Sequence, residues 1–118
     1  TKARQKANQA RAWQSFNQIA LAMQLYYDKN NAWPTTFSNL VPEFYPNSDA
    51  SWYCSTCTYS LGLTYSWELV NGVWTQTGPN CGWVRIYSPS PYQNIYKYAL
   101  CITSQCGSNC GVKNYWPQ

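Results

Sequence analysis

Cys54, Cys57, Cys81, Cys101, Cys106 and Cys110 are the side chains whose type and spacing could most readily do chemistry in this 118-residue chain. Six cysteines at that density point to disulfides formed in an oxidising compartment, and the fifteen possible pairings are not narrowed by sequence. Zinc is the competing chemistry, because Cys54-Ser55-Thr56-Cys57 has knuckle spacing and Cys106 with Cys110 could add two thiolates. With no histidine in the chain, such a site would be all cysteine and would leave two thiols over. A thioredoxin-like role fits less well, since that motif opens a helix in a βαβ unit and this one precedes a strand pattern. Disulfides are the expected state, with Gly, Ser, Asn and Pro around them marking turns.

Other catalytic arrangements are missing. Without histidine there is no Ser-His-Asp or Cys-His pair, and the commonest general base is gone. Asp28, Glu43, Asp49 and Glu68 are too scattered to predict a glycosidase-like carboxylate pair. Gly107-Ser108-Asn109-Cys110-Gly111 lacks the lysine and following helix of a phosphate loop. Asn47-Ser48-Asp49 offers oxygens to calcium, but no EF-hand pattern surrounds it. The expectation is a protein that is not an enzyme and needs no metal or cofactor.

The elements that carry these residues begin with a helix. Ala12, Phe16, Ile19, Ala20, Met23 and Tyr27 recur at steps of three and four, with Trp13 beside them, and no Gly or Pro occurs before Pro34. A helix over Lys2 to Tyr27 would be about 40 Å long, against about 30 Å for a compact body built from the rest. Its first turns should overhang, and their apolar residues are only alanines. Lys2, Arg4, Lys6 and Arg11 supply four of the eight cations, and cations sit badly against the positive end of a helix dipole. The natural helix is therefore expected to begin upstream of Thr1, and the cations could lie near anionic lipid headgroups. Beyond residue 11 the charges balance, so no broad basic surface for nucleic acid is indicated. No run of 18 apolar residues occurs.

The second half reads as antiparallel strands. Tyr59, Leu61, Leu63, Tyr65, Trp67 and Leu69 alternate with polar residues and glycine, and Asn71-Gly72 suits a type I′ hairpin that returns through Val73–Thr77 with Leu69 opposite Trp74. The apolar side of this hairpin is expected to lie on the helix. Gly78-Pro79 reads as a loop, followed by a third strand over Trp83–Tyr87 and a fourth over Ile95–Ile102. The tail from Ser104 to Gln118 reads as a coil pinned by disulfides. The expected fold is α+β, a single domain with helix 1–27, a helix-to-sheet loop 28–57, a four-stranded antiparallel sheet 58–102 and a C-terminal loop 103–118.

With these residues in view, the N-terminal third resembles a known family. Arg4-Gln5-Lys6-Ala7, Ala20-Leu21-Ala22-Met23-Gln24-Leu25-Tyr26-Tyr27-Asp28-Lys29-Asn30, Trp33-Pro34-Thr35-Thr36 and Leu40-Val41-Pro42 look like the segment that follows the apolar half-helix of type IV pilins and type II secretion pseudopilins. The resemblance covers about the first 46 residues, and the apolar segment with its cleavage site and glutamate is not in this sequence. It implies a subunit held first in the inner membrane, then extracted by an ATPase-driven assembly machinery into a helical filament of copies of itself. Ala7, Ala10 and Trp13 would face the filament core, and the body would be exposed for adhesion, motility or DNA and surface contact. Without the upstream segment the domain should be monomeric. The chain's seven tryptophans, eleven tyrosines and three phenylalanines leave a second reading open. Trp33, Trp52, Trp83, Tyr92, Tyr115 and Trp116 fall in or beside loops, where rings could stack on sugars, bases or neighbours, as in a secreted carbohydrate-binding or adhesion module. Trp13, Phe16, Tyr27, Leu63, Tyr65 and Trp67 are expected in the core.

Overall fold

A computed structural model describes residues 2–89 and 92–109. Helix α1 spans Lys2–Asn30, one turn beyond the Tyr27 end read from sequence. Asn31 stops it in the left-handed conformation (φ 57°), its N–H donating to the Tyr27 carbonyl at 2.7 Å, a C-terminal cap that asparagine tolerates. The Asn30 amide donates back to the Tyr26 carbonyl. Ala12, Ser15, Phe16, Ile19, Ala20, Ala22 and Met23 are buried on one face, while residues 2–7 are exposed.

The sheet has three strands, β1 (Thr58–Val70), β2 (Val73–Pro89) and β3 (Tyr92–Cys101), in the order β1-β2-β3 and antiparallel throughout. Asn71 and Gly72 have φ of 52° and 78°, and Leu69 pairs with Trp74, the hairpin register expected. The architecture is α+β, but the four-stranded sheet is corrected to three strands. Val73–Thr77 and Trp83–Tyr87 belong to the one strand β2, which runs through Gly78-Pro79. Between the pairs Thr64↔Cys81 and Ser66↔Thr77, Gly78, Pro79 and Asn80 stand opposite Tyr65 alone. Such a bulge absorbs extra residues without ending a strand, and Gly78 supplies the φ of 114° that it needs. Pro79 precedes Cys81, where pairing with β3 starts, so its missing N–H removes no bond from that ladder.

Asn80 holds the bulge. It is buried, its carbonyl accepts from the N–H groups of Ile102 and Thr103 at 2.9 and 3.1 Å, and its side chain donates to Ser66 Oγ and accepts from Thr103 Oγ1. The end of β3 is thereby tied to the irregular middle of β2.

α1 lies over β2 and β3. The Met23 methyl reaches Gly82, where a Cβ would overlap it, and Lys97 donates to Asn17 Oδ1 at 3.1 Å. The loop between helix and sheet covers β1 instead: Leu40 is fully buried, and Phe37 stacks on Tyr59 at 5.6 Å with Tyr45 at the edge of both rings. The expectation that the hairpin lays its apolar side on the helix is therefore corrected. Tyr59 lies beside helix residues 11–18 and Tyr65 beside residues 27–33, so β1 climbs along α1 and carries the hairpin past its C-terminus. Trp67, Leu69 and Trp74 are 60–66% exposed and Tyr65 is exposed too, so Trp67 and Tyr65 are not core residues. Thirteen strand residues reach about 43 Å, and no other described element extends far enough to cover the tip. With α1 projecting at one end and the hairpin at the other, the molecule measures 56 × 31 × 24 Å.

Cys54 is bonded to Cys57 and Cys81 to Cys106, and Cys101 is also disulfide-bonded. Zinc ligation by Cys54, Cys57 and Cys106 is thereby set aside. The segment read as coil from Ser104 begins as two short 3-10 turns within Ser104–Asn109, kinked at Gly107, which Cys106 fastens to β2. Cys110 lies outside the described residues. Chain entropy makes the longer loop the more valuable bridge. Replacing Cys81 and Cys106 together by serine should lower unfolding free energy by about 3–4 kcal/mol, against about 2 kcal/mol for the Cys54 and Cys57 pair, as read from urea denaturation.

Candidate functional site

The acidic residues do not converge. Glu43 pairs with Lys29 at the surface. Asp49 accepts from the Ser51 N–H at 3.0 Å and from the Ser51 hydroxyl at 3.1 Å, and Asn47 Oδ1 accepts from the Asp49 N–H at 2.8 Å. The oxygens considered for calcium thus serve the turn that leads into the Asp49↔Thr58 bridge. Among the described residues no group of three or more His, Cys, Asp or Glu could hold a metal ion, and no helix is long and apolar enough to cross a membrane.

The helix carries the clearest surface feature. Leu21 and Leu25, 56% and 46% exposed, stand four residues apart on the side of α1 opposite Ala12, Ile19 and Met23. Steps of three and four bring exposed Ala3, Ala7 and Ala10 onto the same line, with Gln14, Asn17 and Gln18 separating them from the leucines. The helix therefore has one apolar face closed by the sheet and, opposite it, two open apolar patches, Ala3-Ala7-Ala10 and Leu21-Leu25. Of the residues expected to meet a filament core, Ala7 and Ala10 lie on the open face. Trp13 is half-buried at the flank, edge-on to Phe16 at 5.4 Å. Leu21 and Leu25 were not picked out from sequence, although their spacing relative to Ala7 and Ala10 carries the signal.

The aromatic residues are distributed otherwise than their loop positions imply. Trp33 is half-buried and stacked on Tyr27 at 4.4 Å, leaving Tyr27 at the margin of the core. Trp52 is half-buried with the Arg11 guanidinium 4.3 Å above its ring. Trp83 lies over Gly62 on the outer face of the sheet, where any Cβ at Gly62 would overlap its indole. Arg85 sits between Trp83 and Tyr87, 5.6 and 4.5 Å from their rings, and donates to Ser60 Oγ. Tyr92 opens β3, but its side chain is outside the described residues, as are Tyr115 and Trp116. Among the described residues the openly exposed indoles are Trp67 and Trp74, on one face of the projecting hairpin, while Val70 and Val73 are exposed on the other.

No protein-family model, curated protein or solved structure matches the chain. The geometry offers contact surfaces, the open helix stripe and the hairpin tip, and no assembled reaction centre among the described residues. Replacing Trp67 or Trp74 by threonine should change stability by less than about 1 kcal/mol, the scale of one cross-strand pair. Ile86→Ala, in the closed core, should cost about 2–5 kcal/mol in the same urea unfolding experiment.

Proposed function

We propose that this chain is a structural subunit of a type IV pilus-like filament outside the cell, packed through α1 against copies of itself. One observation carries the reading: opposite the face it gives to its own sheet, α1 presents a broken apolar stripe, Ala3, Ala7 and Ala10 followed after Gln14, Asn17 and Gln18 by Leu21 and Leu25. A helix that only roofs its sheet has no use for that stripe, and water solvates it at a cost. Leu21 and Leu25 are about half exposed, so burying what remains of each between subunits contributes about 1 kcal/mol, and a helical assembly repeats that gain at every step. The alanines toward the N-terminus allow close helix approach where the resemblance puts the filament core.

In this reading an apolar segment upstream of Thr1 first anchors the subunit in the inner membrane and then joins the core, with the assembly machinery acting on that segment. The disulfides suit passage through an oxidising compartment to the cell surface. The sheet and the exposed hairpin would face outward or toward a neighbour, available for adhesion, motility or DNA contact. In this reading the stripe alone is too small to hold copies together, and the isolated domain stays monomeric.

The double substitution Leu21→Glu with Leu25→Glu tests this in the source cells. Both side chains are exposed, so the isolated domain should unfold within about 1 kcal/mol of the unaltered protein, while filaments carrying it should become rare. Filaments formed in normal number by the doubly substituted chain would overturn the reading.

A further inference from the structure

Between α1 and the loop over residues 45–52 lies an open cleft of about 400 Å³, within the size range of small-molecule sites. We propose that this cleft is a saccharide subsite that takes a short, neutral, polyhydroxylated ligand. The inference does not depend on filament assembly.

The lining decides the ligand class. Gln14 and Gln18 project from α1 and Asn47 from the facing loop, and each carboxamide both donates and accepts. Asp49 adds a carboxylate and Arg11 a guanidinium on the same rim. An apolar ligand would find little apolar floor there and would desolvate these groups without return. A phosphate or carboxylate would meet Asp49, and an organic cation would meet Arg11. Sugar hydroxyls, each a donor and an acceptor, can satisfy both charges and all three amides.

The site is also set in place before a ligand arrives. Arg11 lies on the Trp52 ring, which fixes the guanidinium and the indole together. The backbone N–H and the hydroxyl of Ser51 hold the Asp49 carboxylate, whose remaining lone pairs stay available to a ligand. At the base, the rings of Tyr45 and Tyr59 meet edge to face at 5.7 Å, and burial pushes the Tyr45 phenol well above its ordinary value. Preorganisation of this kind lowers the ordering cost of binding. Trp52 was one of the aromatics that the sequence nominated for surface contact, and the cleft gives it a defined set of polar neighbours.

Titration of the ¹⁵N-labelled full chain with N-acetylglucosamine, galactose, mannose and lactose, each followed by amide chemical shifts, tests the assignment. At least one sugar should give saturable shifts confined to residues 11–18 and 45–52, with a Kd on the order of millimolar. Gln14→Ala and Gln18→Ala, both at exposed helix positions, should each weaken that binding by about two- to tenfold, the loss of one hydrogen bond, with the spectrum otherwise unchanged. Absence of saturable shifts with every sugar at about 50 mM, well above a millimolar Kd, would overturn the proposal. So would shifts centred on Trp67 and Trp74, or unchanged affinity in both variants.

Discussion

The burial of one face of α1 against β2 and β3 is the interaction on which the rest of this structure depends. Phe16, Ile19 and Met23 have no exposed surface, and Val84, Ile86 and Ile95 meet them from the sheet, also fully closed. Gly82 lets the Met23 side chain come against the strand backbone, and a side chain there would have to displace it or Leu100. Because α1 occupies the β2 and β3 side, β1 must be closed by something else. The loop after the helix does this with Leu40, Phe37 and Tyr45, and the polar cleft opens where that loop and the helix flank diverge.

A sheet held this way is longer than its cover. β2 continues through Gly78 and Pro79 because a bulge there takes up the extra residues and Asn80 ties it to the Ser66 hydroxyl of β1 and to Ile102 and Thr103 after β3. The hairpin beyond the bulge is a two-stranded ribbon with apolar side chains on both faces. Two-stranded ribbons are marginal alone, so the connection through Asn80, Ser66 and Thr103, together with the nearby Cys81–Cys106 bridge, anchors its base. The helix shows the same economy at its other end, with its first turns exposed and its second apolar stripe open. Both ends thus present surface that the domain itself does not use.

Local patterns were readable from the residues alone. The helix, the Asn71-Gly72 turn and the pairing of Leu69 with Trp74 follow from periodicity and turn chemistry over a few positions. The strand count was not readable, because Gly78-Pro79 looks like a stop and only the distant Ser66 and Thr103 reveal it as a bulge. Exposure was read partly in reverse: Trp67 alternates like a core residue yet is open, whereas Trp52, in a loop, lies under Arg11. Alternation reports which side chains share a face and says nothing of whether another element covers that face. A comparison of strand length with body width carries that information, as it did for the overhang of α1. The polar cleft was also beyond sequence, since Arg11 and Gln18 meet Asn47 and Asp49 only through the path of the loop.

The most direct test of the central claim, that the open stripe of α1 packs subunits into a filament, is mass spectrometry of filaments sheared from the source cells, reading this chain's abundance and its native N-terminus. The account predicts that the chain is a filament component and that an apolar, N-methylated segment precedes Thr1. Recovery of the chain solely as a soluble secreted protein, with no such segment and none of it in the sheared fraction, would contradict it.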